Sequence, residues 1–321
     1  MIALTCPKCK IALEQKENIL VCSSCDYILN NQKGVYTSRS LGNIDEKNFY
    51  DQIYDREKGG DWIVGLKNES FFKKVLEKIS LSYRRERFFK QNIKGYNNLI
   101  LDLACGAGRG YFKDYGEVVG IDLSIKPLEV AKNRYDMVIL GSAIELPFSD
   151  NSFDYVVSSD FFGHIKDENK DEIIKEIYRI LKPGGKTLHI IETDSKNRWF
   201  KFAHKYPELF QKYFIEQIGG HIGLEMPDQV VGRWKKNNFE VAKAIKIWGL
   251  IWPIQGYNIF DNEYQEKSHF VKLVVIISKM LSKFRVIREF VNIILNPLNS
   301  IIETLTEINH GQGLMIVCKK K

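Results

Sequence analysis

The sequence predicts an α/β fold, a mostly parallel sheet flanked by helices, with a small metal-held ribbon in front of it. Three observations carry this reading. Four cysteines fall in two Cys-x-x-Cys pairs within the first 25 residues. From residue 98 to 192, short apolar runs alternate with a segment of helical period. A glycine-rich turn follows the first of those runs, and a carboxylate closes the second. The chain has 321 residues, 44% of them hydrophobic, so it can bury a sizeable core and is not a disordered polymer. Its net charge of +7 is segregated: residues 96–195 carry more acids than bases, and both flanks are basic. A non-specific nucleic-acid binder would be basic throughout. The longest uncharged stretch, Ile247 to Phe260, is 14 residues and is broken by Gly249, Pro253 and Gly256. A membrane span needs ~20 apolar residues.

The ribbon comes first. Cys6-Pro7-Lys8-Cys9 and Cys22-Ser23-Ser24-Cys25 are two tight knuckles separated by 12 residues. Such knuckles can place four thiolates tetrahedrally around one zinc ion at ~2.3 Å. Ile11 to Leu13 and Asn18 to Val21 read as the strands of the connecting hairpin. A piece this small cannot fold on apolar burial alone, so metal binding would supply its folding energy. The competing reading, two disulfides, suits a secreted chain, and no basic-then-apolar leader precedes Cys6. A closed shell of four thiolates has no open position, which makes the zinc structural. Lys8, Lys10 and Lys16 are mixed with Glu14 and Glu17, a pattern fitting a docking module better than a nucleic-acid finger. Cys105 and Cys318 sit in apolar strand contexts and read as packing residues.

The core follows in order. Asn98 to Ala104 is an apolar run of the kind buried in a parallel sheet. It flows into Cys105-Gly106-Ala107-Gly108-Arg109-Gly110, where glycines permit a tight turn and close approach of a ligand. A second run, Glu117 to Asp122, ends in an acid placed to accept both hydroxyls of a ribose. Asp136 to Leu140 is a third strand, and Tyr155 to Ser159 a fourth. In Asp171 to Leu181 the apolar residues Ile173, Ile174, Ile177, Tyr178 and Leu181 fall at helical spacing. Lys182-Pro183-Gly184-Gly185 stops that helix, and Lys186 to Glu192 is a fifth strand.

The stretch from about 98 to 193 resembles the core of the class I S-adenosylmethionine-dependent methyltransferases, methyltransferase type 11, the group that includes quinone-biosynthesis methyltransferases. The phrases LDLACGAGRG, VVGIDLS, AIELPFSDNSFDYVVSS and EIYRILKPGG recur there in this order. The resemblance implies a Rossmann-like seven-stranded sheet whose last strand runs antiparallel, and Phe239 to Ile247 and Gly313 to Cys318 supply the two further strands. It divides the chain into a zinc-ribbon-like module, 1–38; an N-terminal helical segment over the cofactor site, 39–97; the methyltransferase core, 98–250 and 310–321, with an insertion at 194–226; and an amphipathic helical cap, 251–309. It also assigns residues. Asp102, Ala104, Gly106 and Gly108 match the motif that holds the methionine portion of S-adenosylmethionine. Asp122 matches the ribose-binding acid, and Leu123 would pack on the adenine. Ser142-Ala143 stands where the family often has Asp-Ala, a departure that shifts adenine recognition toward the hydroxyl or the backbone. Ser159 and Asp160 match the start of the loop facing the transferred methyl group. The alternative nucleotide, NAD, usually has its third glycine one place later, here Tyr111.

Methyl transfer from a sulfonium is an in-line displacement needing an aligned nucleophile, exclusion of water and, where the nucleophile carries one, removal of a proton. Two candidate bases follow from position. His164 lies four residues after Asp160, and His221 sits in Gly219-Gly220-His221-Ile222-Gly223-Leu224-Glu225 within the insertion after strand five. Either can equally be a packing or hydrogen-bonded residue of its loop. His189, inside strand five, reads as buried scaffold. Tyr50 and Tyr54 resemble residues of a helix that closes over the cofactor in relatives, with simple packing as the other reading.

The substrate side rests on two insertions, Asp194 to Met226 and about Ile251 to Gln312. The first mixes aromatics, Trp199, Phe200, Phe202, Tyr206, Phe210, Tyr213 and Phe214, with basic residues. In the second, Ser268 to Ile302 has apolar residues at helical spacing, five interspersed Lys or Arg and one acid, Glu289. A basic amphipathic helix of this kind can lie on an anionic membrane or close as a lid on the domain. With Trp248, Trp252 and Pro253 nearby, the composition points to a small or amphiphilic, lipid-linked acceptor, and to a cytoplasmic enzyme able to sit peripherally on the inner membrane face. RNA is the alternative acceptor. A four-cysteine ribbon before this fold is similar to one group of ribosomal-RNA guanine methyltransferases, and 67–94 combines Lys73, Lys74, Lys78, Arg84, Arg85, Arg87 and Lys90 with aromatics. Against RNA, Ser159-Asp160-Phe161-Phe162 stands where an Asn-Pro-Pro-aromatic signature would be. A non-catalytic zinc-ribbon scaffold is the third reading, disfavoured by the intact glycine motif and Asp122.

Overall fold

The computed structural model describes residues 4–38, 81–217, 220–249, 252, 254–260 and 262–321. Tyr50, Tyr54, Lys73, Lys74, Lys78 and Pro253 lie outside the described residues. In chain order the described strands and helices are β1 (Glu14–Lys16), β2 (Ile19–Val21), β3 (Ile28–Gln32), β4 (Val35–Ser38), α1 (Leu81–Asn92), β5 (Asn98–Leu103), β6 (Gly116–Asp122), α2 (Ile125–Ala131), β7 (Met137–Leu140), β8 (Phe153–Ser159), α3 (Asp167–Ile180) and β9 (Leu181–Glu192). There follow α4 (Arg198–Ala203), α5 (Pro207–Phe210), a π-turn at Gln211–Gln217, α6 (Pro227–Lys236), β10 (Phe239–Ile247), a 3-10 turn at Ile254–Ile259, α7 (Asn262–Glu266), α8 (His269–Ser282), α9 (Arg285–Leu305) and β11 (Gly313–Lys320).

The sheet order is β1-β2-β3-β4-β7-β6-β5-β8-β9-β11-β10. From β4 to β9 every pairing is parallel, and β11 runs antiparallel between β9 and β10. The predicted seven-stranded sheet with its antiparallel last strand is therefore present. Its central strands read as continuous apolar runs because both faces are covered. Leu101, Leu103, Val119, Ile121 and Val156 face one core with Ile173, Ile177 and Trp234 of α3 and α6. Ile100, Val118, Val138 and Val157 face the other, with Phe88 and Phe89 of α1 and Leu128 of α2.

Three details depart from the sequence expectation. The ribbon is a four-stranded antiparallel meander rather than one hairpin, and its first strand is Glu14–Lys16, not Ile11–Leu13, which form the approach to it. It is also continuous with the main sheet: Tyr36 and Thr37 of β4 pair with Ile139 and Leu140 of β7. The Thr5 N–H donates to Pro147 O at 3.0 Å, and Cys6 and Cys22 share a core with Leu146 and Phe148. Second, β9 begins at Leu181, directly after α3. A register shift opposite Phe153 and Tyr155, with Gly184 at φ +74°, absorbs the Pro-Gly-Gly segment inside the strand rather than in a separate turn. Third, the expected single helix over 268–302 is two, broken at Lys283-Phe284.

The two insertions after β9 and β10 share a further core. Trp199, Phe200, Tyr213, Phe214, Trp252, Tyr257, Phe260 and Tyr264 pack together with Val271 and Val275 of α8. These aromatics, read from composition as a substrate surface, are largely buried against one another. Helix α8 is apolar on two sides. Its inner side includes Ser278, whose hydroxyl donates to Ile254 O at 2.5 Å, while Phe270, Leu273, Ile277 and Met280 are exposed. On α9, Ile287, Phe290, Ile294, Ile301 and Leu305 are exposed as well. Among the described residues no helix is long and apolar enough to cross a membrane.

Candidate active site

The site is built at the carboxyl ends of β5, β6, β8 and β9, the edge where α/β sheets place ligands. After β5 the backbone enters the left-handed region at Ala104, Gly106 and Gly108, with φ of +54°, +53° and +77°. That run bends the chain sharply and turns it back over the strand tips. Beneath it, Asp102 is fully buried. The Tyr135 hydroxyl donates to Asp102 Oδ2 at 2.6 Å and accepts the Arg109 N–H at 2.6 Å, and Arg109 Nη1 lies 3.4 Å from the same carboxylate. Arg134 Nη1 donates to Gly108 O at 2.8 Å. Burial pushes the Asp102 carboxyl above the usual range, and its Oδ1 is buried without a donor. Sequence reasoning named Asp102 and the glycines but missed Tyr135 and Arg134, which lie in an ordinary-looking polar link before β7. Tyr135 carries no local signal, because its role depends on a contact 33 residues away.

At the tip of β6, Asp122 accepts the Gly106 N–H at 2.8 Å and the Ser124 N–H at 2.9 Å, one on each oxygen. Burial raises its carboxyl to about 6 against the pull of those N–H groups. Each oxygen retains a lone pair for a further donor. Leu123 is half-buried beside it, and Ser142 and Ala143 follow β7 in the same partly open zone. The Ser142 hydroxyl accepts the Ile144 N–H at 3.3 Å, so the departure from the family's acid is absorbed in a local turn.

The third part joins groups that are far apart in sequence. Asp160, at φ +58° just past β8, pairs with Arg85 of α1 and accepts the Ser159 hydroxyl at 3.1 Å. Although burial opposes it, Arg85 holds the Asp160 carboxyl below the usual range. Glu192, at the end of β9, lies beside Asp160, and burial together with that neighbour's charge pushes Glu192 well above its usual value. His164 and His221 stack with ring centroids 4.5 Å apart, and Nε2 of each is 4.0 Å from Glu192 Oε1. The two histidines nominated separately thus come together, with a carboxylate that the sequence reading left inside a strand. Gly223 makes this possible. Its N–H donates to Gly163 O at 3.0 Å, and a Cβ there would stand 1.8 Å from Ile165 O, so only glycine lets the two loops touch. Buried Lys170 anchors the same loop through Glu225 at 2.6 Å. Burial, and then the charge of His164, lower His221 to about 4. His189 is fully buried between the Ser158 and Thr187 hydroxyls, and burial lowers it to about 3.

Helix α1 lies across this assembly. Arg85 stacks over Trp248 at 5.1 Å, and Arg84 Nη2 bonds Glu303 of α9 at 2.6 Å. Lys90 pairs with Glu86, and Phe88 and Phe89 are buried. Most of the basic and aromatic residues of 84–90 considered for RNA contact are therefore engaged within the protein.

In the ribbon, one sulfur from each of Cys6, Cys9, Cys22 and Cys25 lies within 4.8 Å of the others. Cys6 Sγ and Cys25 Sγ are 3.5 Å apart, close to the ~3.8 Å separation of tetrahedral ligands at ~2.3 Å. The Cys9 and Ser24 N–H groups donate to Cys6 and Cys22 sulfurs at 3.3 and 3.4 Å, the kind of donors a bound thiolate set uses. The four residues fit a zinc ion.

Residues 101–189 match the family described as Methyltransferase domain. Over 170 residues the chain is 34% identical to the demethylmenaquinone methyltransferase of Listeria welshimeri, a match covering 44% of this chain and 68% of that protein. It is 32% identical over 151 residues to the demethylmenaquinone methyltransferase of Bacillus cereus, covering 43% of this chain and 61% of the relative's length. Among solved structures, the phosphoethanolamine N-methyltransferase 2 of Haemonchus contortus in complex with S-adenosyl-L-methionine is 24% identical, covering 74% of this chain and 52% of that one, at a TM-score of 0.45. A geranyl diphosphate C-methyltransferase from Streptomyces coelicolor is 11% identical, covering 82% and 90%, at a TM-score of 0.48.

Proposed function

The chain belongs to the class I S-adenosylmethionine-dependent methyltransferases, and on that premise we propose that it methylates an amphiphilic, lipid-linked acceptor at an anionic membrane surface. The observation that carries this reading is the exposed apolar face of α8 and α9. On α8 and the break after it, Phe270, Leu273, Ile277, Met280 and Phe284 recur at steps of three and four and are each at least 43% exposed. Exposed Lys272, Lys279 and Lys283 flank them. Monomeric proteins rarely leave so large a contiguous apolar patch in water, and basic residues beside one suit an anionic interface. The curated relatives are named for demethylmenaquinone, which supports an acceptor of that kind.

S-adenosylmethionine supplies an activated methyl group on a sulfonium. Ala104, Gly106, Gly108 and the buried Asp102 would hold its methionine end, and Asp122 would accept its ribose hydroxyls. Leu123, Ser142 and Ala143 would border the adenine, and Asp160 would face the sulfonium side. His164 and His221 would stand on the acceptor side, where they would help the acceptor shed its proton. Cys6, Cys9, Cys22 and Cys25 would hold a structural zinc ion that fixes the ribbon of residues 1–38 to the core. The cap of residues 251–309 would seat the enzyme peripherally on the cytoplasmic membrane face.

The test is to incubate purified enzyme and methyl-labelled cofactor with a bacterial extract, then to separate lipid, RNA and polar metabolites. Label entering the lipid fraction is expected, together with co-sedimentation on anionic but not zwitterionic vesicles. Label in RNA, or vesicle binding absent at low salt, would overturn the reading.

A further inference from the structure

The acceptor side holds two imidazoles and a carboxylate aimed at one point. One ligand atom from each of His164, Glu192 and His221 lies within 4.8 Å of the other two. Nε2 of each histidine is 4.0 Å from the same oxygen, Glu192 Oε1. Three protein ligands around a first-row divalent ion at ~2.1 Å stand about 3.0–3.4 Å apart. The cluster needs shifts of under ~1 Å to reach that spacing, within the reach of side-chain rotation. Among the described residues Glu192 has no lysine or arginine at ion-pair distance, because Arg85 is taken by Asp160. The two loops that carry the histidines are locked together at Gly163 and Gly223, so the set is held in place rather than assembled by chance.

We propose that His164, His221 and Glu192 bind a divalent first-row cation on the acceptor side, leaving positions open for an acceptor oxygen. Two imidazoles and one carboxylate suit Mn2+, Fe2+, Co2+ or Zn2+ better than Mg2+, which prefers oxygen ligands. Such an ion lowers the pKa of a coordinated hydroxyl. The acceptor would then lose its proton to water and keep the electron pair on oxygen. The imidazoles act as ligands in this arrangement, not as bases. The purpose of the ion rests on the methyl-transfer reading, whereas its binding does not.

The test uses the full chain with its ribbon loaded with zinc, so that the thiolates are occupied, and titrates Mn2+ while free Mn2+ is read by electron paramagnetic resonance. One Mn2+ per chain is expected, weakened at least ten-fold in His164→Gln and in Glu192→Gln. S-adenosylhomocysteine affinity is measured in parallel by calorimetry, with the melting temperature as the check on folding. If wild type binds the nucleoside but not Mn2+, the cation proposal fails alone. If it binds Mn2+ but no nucleoside, the cofactor reading fails and the cation site stands. Mn2+ binding unchanged in both folded variants overturns the assignment of ligands.

Discussion

Tyr135 is buried under the glycine-rich turn and makes two short hydrogen bonds of 2.6 Å, one given to Asp102 and one received from the Arg109 amide. Tyr135→Phe removes both and leaves the ring in place. The Arg109 N–H then loses its acceptor in a partly buried position, which costs about 1–3 kcal/mol. Asp102 loses a hydrogen bond to a buried carboxyl, worth about 1.5–3 kcal/mol. Part of that is recovered because burial already raises the Asp102 carboxyl, which can take up a proton instead. The expected loss of stability is therefore about 2–5 kcal/mol, read as a lower urea midpoint at unchanged slope. The turn also loosens at Gly106 and Gly108, so S-adenosylmethionine binding should weaken by roughly ten-fold, equal to about 1.4 kcal/mol. Tyr178→Phe is the control, because that hydroxyl makes only an exposed 3.4 Å contact with Lys321 O. A Tyr135→Phe protein within ~0.5 kcal/mol of wild type, with undiminished cofactor affinity, would refute the idea that Tyr135 ties strand to turn.

The contribution of His189 to stability should fall with acid. Its folded pKa of about 3 lies below the ordinary 6.5, so its contribution is complete above pH 6.5 and is lost as pH falls toward 3. Between pH 7 and 4.5 this amounts to about 2–3 kcal/mol, and urea titrations should find wild type losing that much more stability, relative to pH 7, than His189→Leu; an equal pH dependence would discount it. Paired Leu273→Asp and Met280→Asp substitutions should abolish binding to anionic vesicles and leave the melting temperature within about 3 °C, since both side chains are more than half exposed. Retained vesicle binding would move the membrane contact elsewhere. Finally, Cys6→Ser should weaken S-adenosylmethionine binding as well as lower the melting temperature, because the ribbon bonds Pro147 in the segment that follows Ser142 and Ala143. A fall in melting temperature with unchanged affinity would separate the ribbon from the cofactor site.

The central strands were legible because burial on both faces writes itself as uninterrupted apolar runs, and the turn after β5 because Gly106 and Gly108 supply the positive φ angles it needs. The knuckle spacing likewise announces four converging sulfurs. What the sequence hid was long-range. Nothing local marks Glu192 as different from any acid ending a strand, yet it meets two histidines from separate loops. Arg85 reads as one charge in a basic helix and turns out to neutralise Asp160. The ribbon's attachment was equally hidden, since backbone pairing of β4 with β7 leaves no residue-type signature. The break at Lys283-Phe284 lies within a continuous helical period, so periodicity alone runs through it.

The junction of β4 with β7 has a further consequence for handling the protein. A parallel sheet normally ends in a strand whose amide and carbonyl groups are open to any passing chain, and evolution blunts such edges with charge, proline or a covering element. Here the cover is a meander that carries the four clustered cysteines. With zinc held there as proposed, stripping it, or oxidising the thiols, would bare the row of groups along Met137–Leu140 beside the apolar Leu146 and Phe148. Self-association through that uncovered strand, rather than global unfolding, would then be the first route to loss of material, and it would be faster at higher protein concentration.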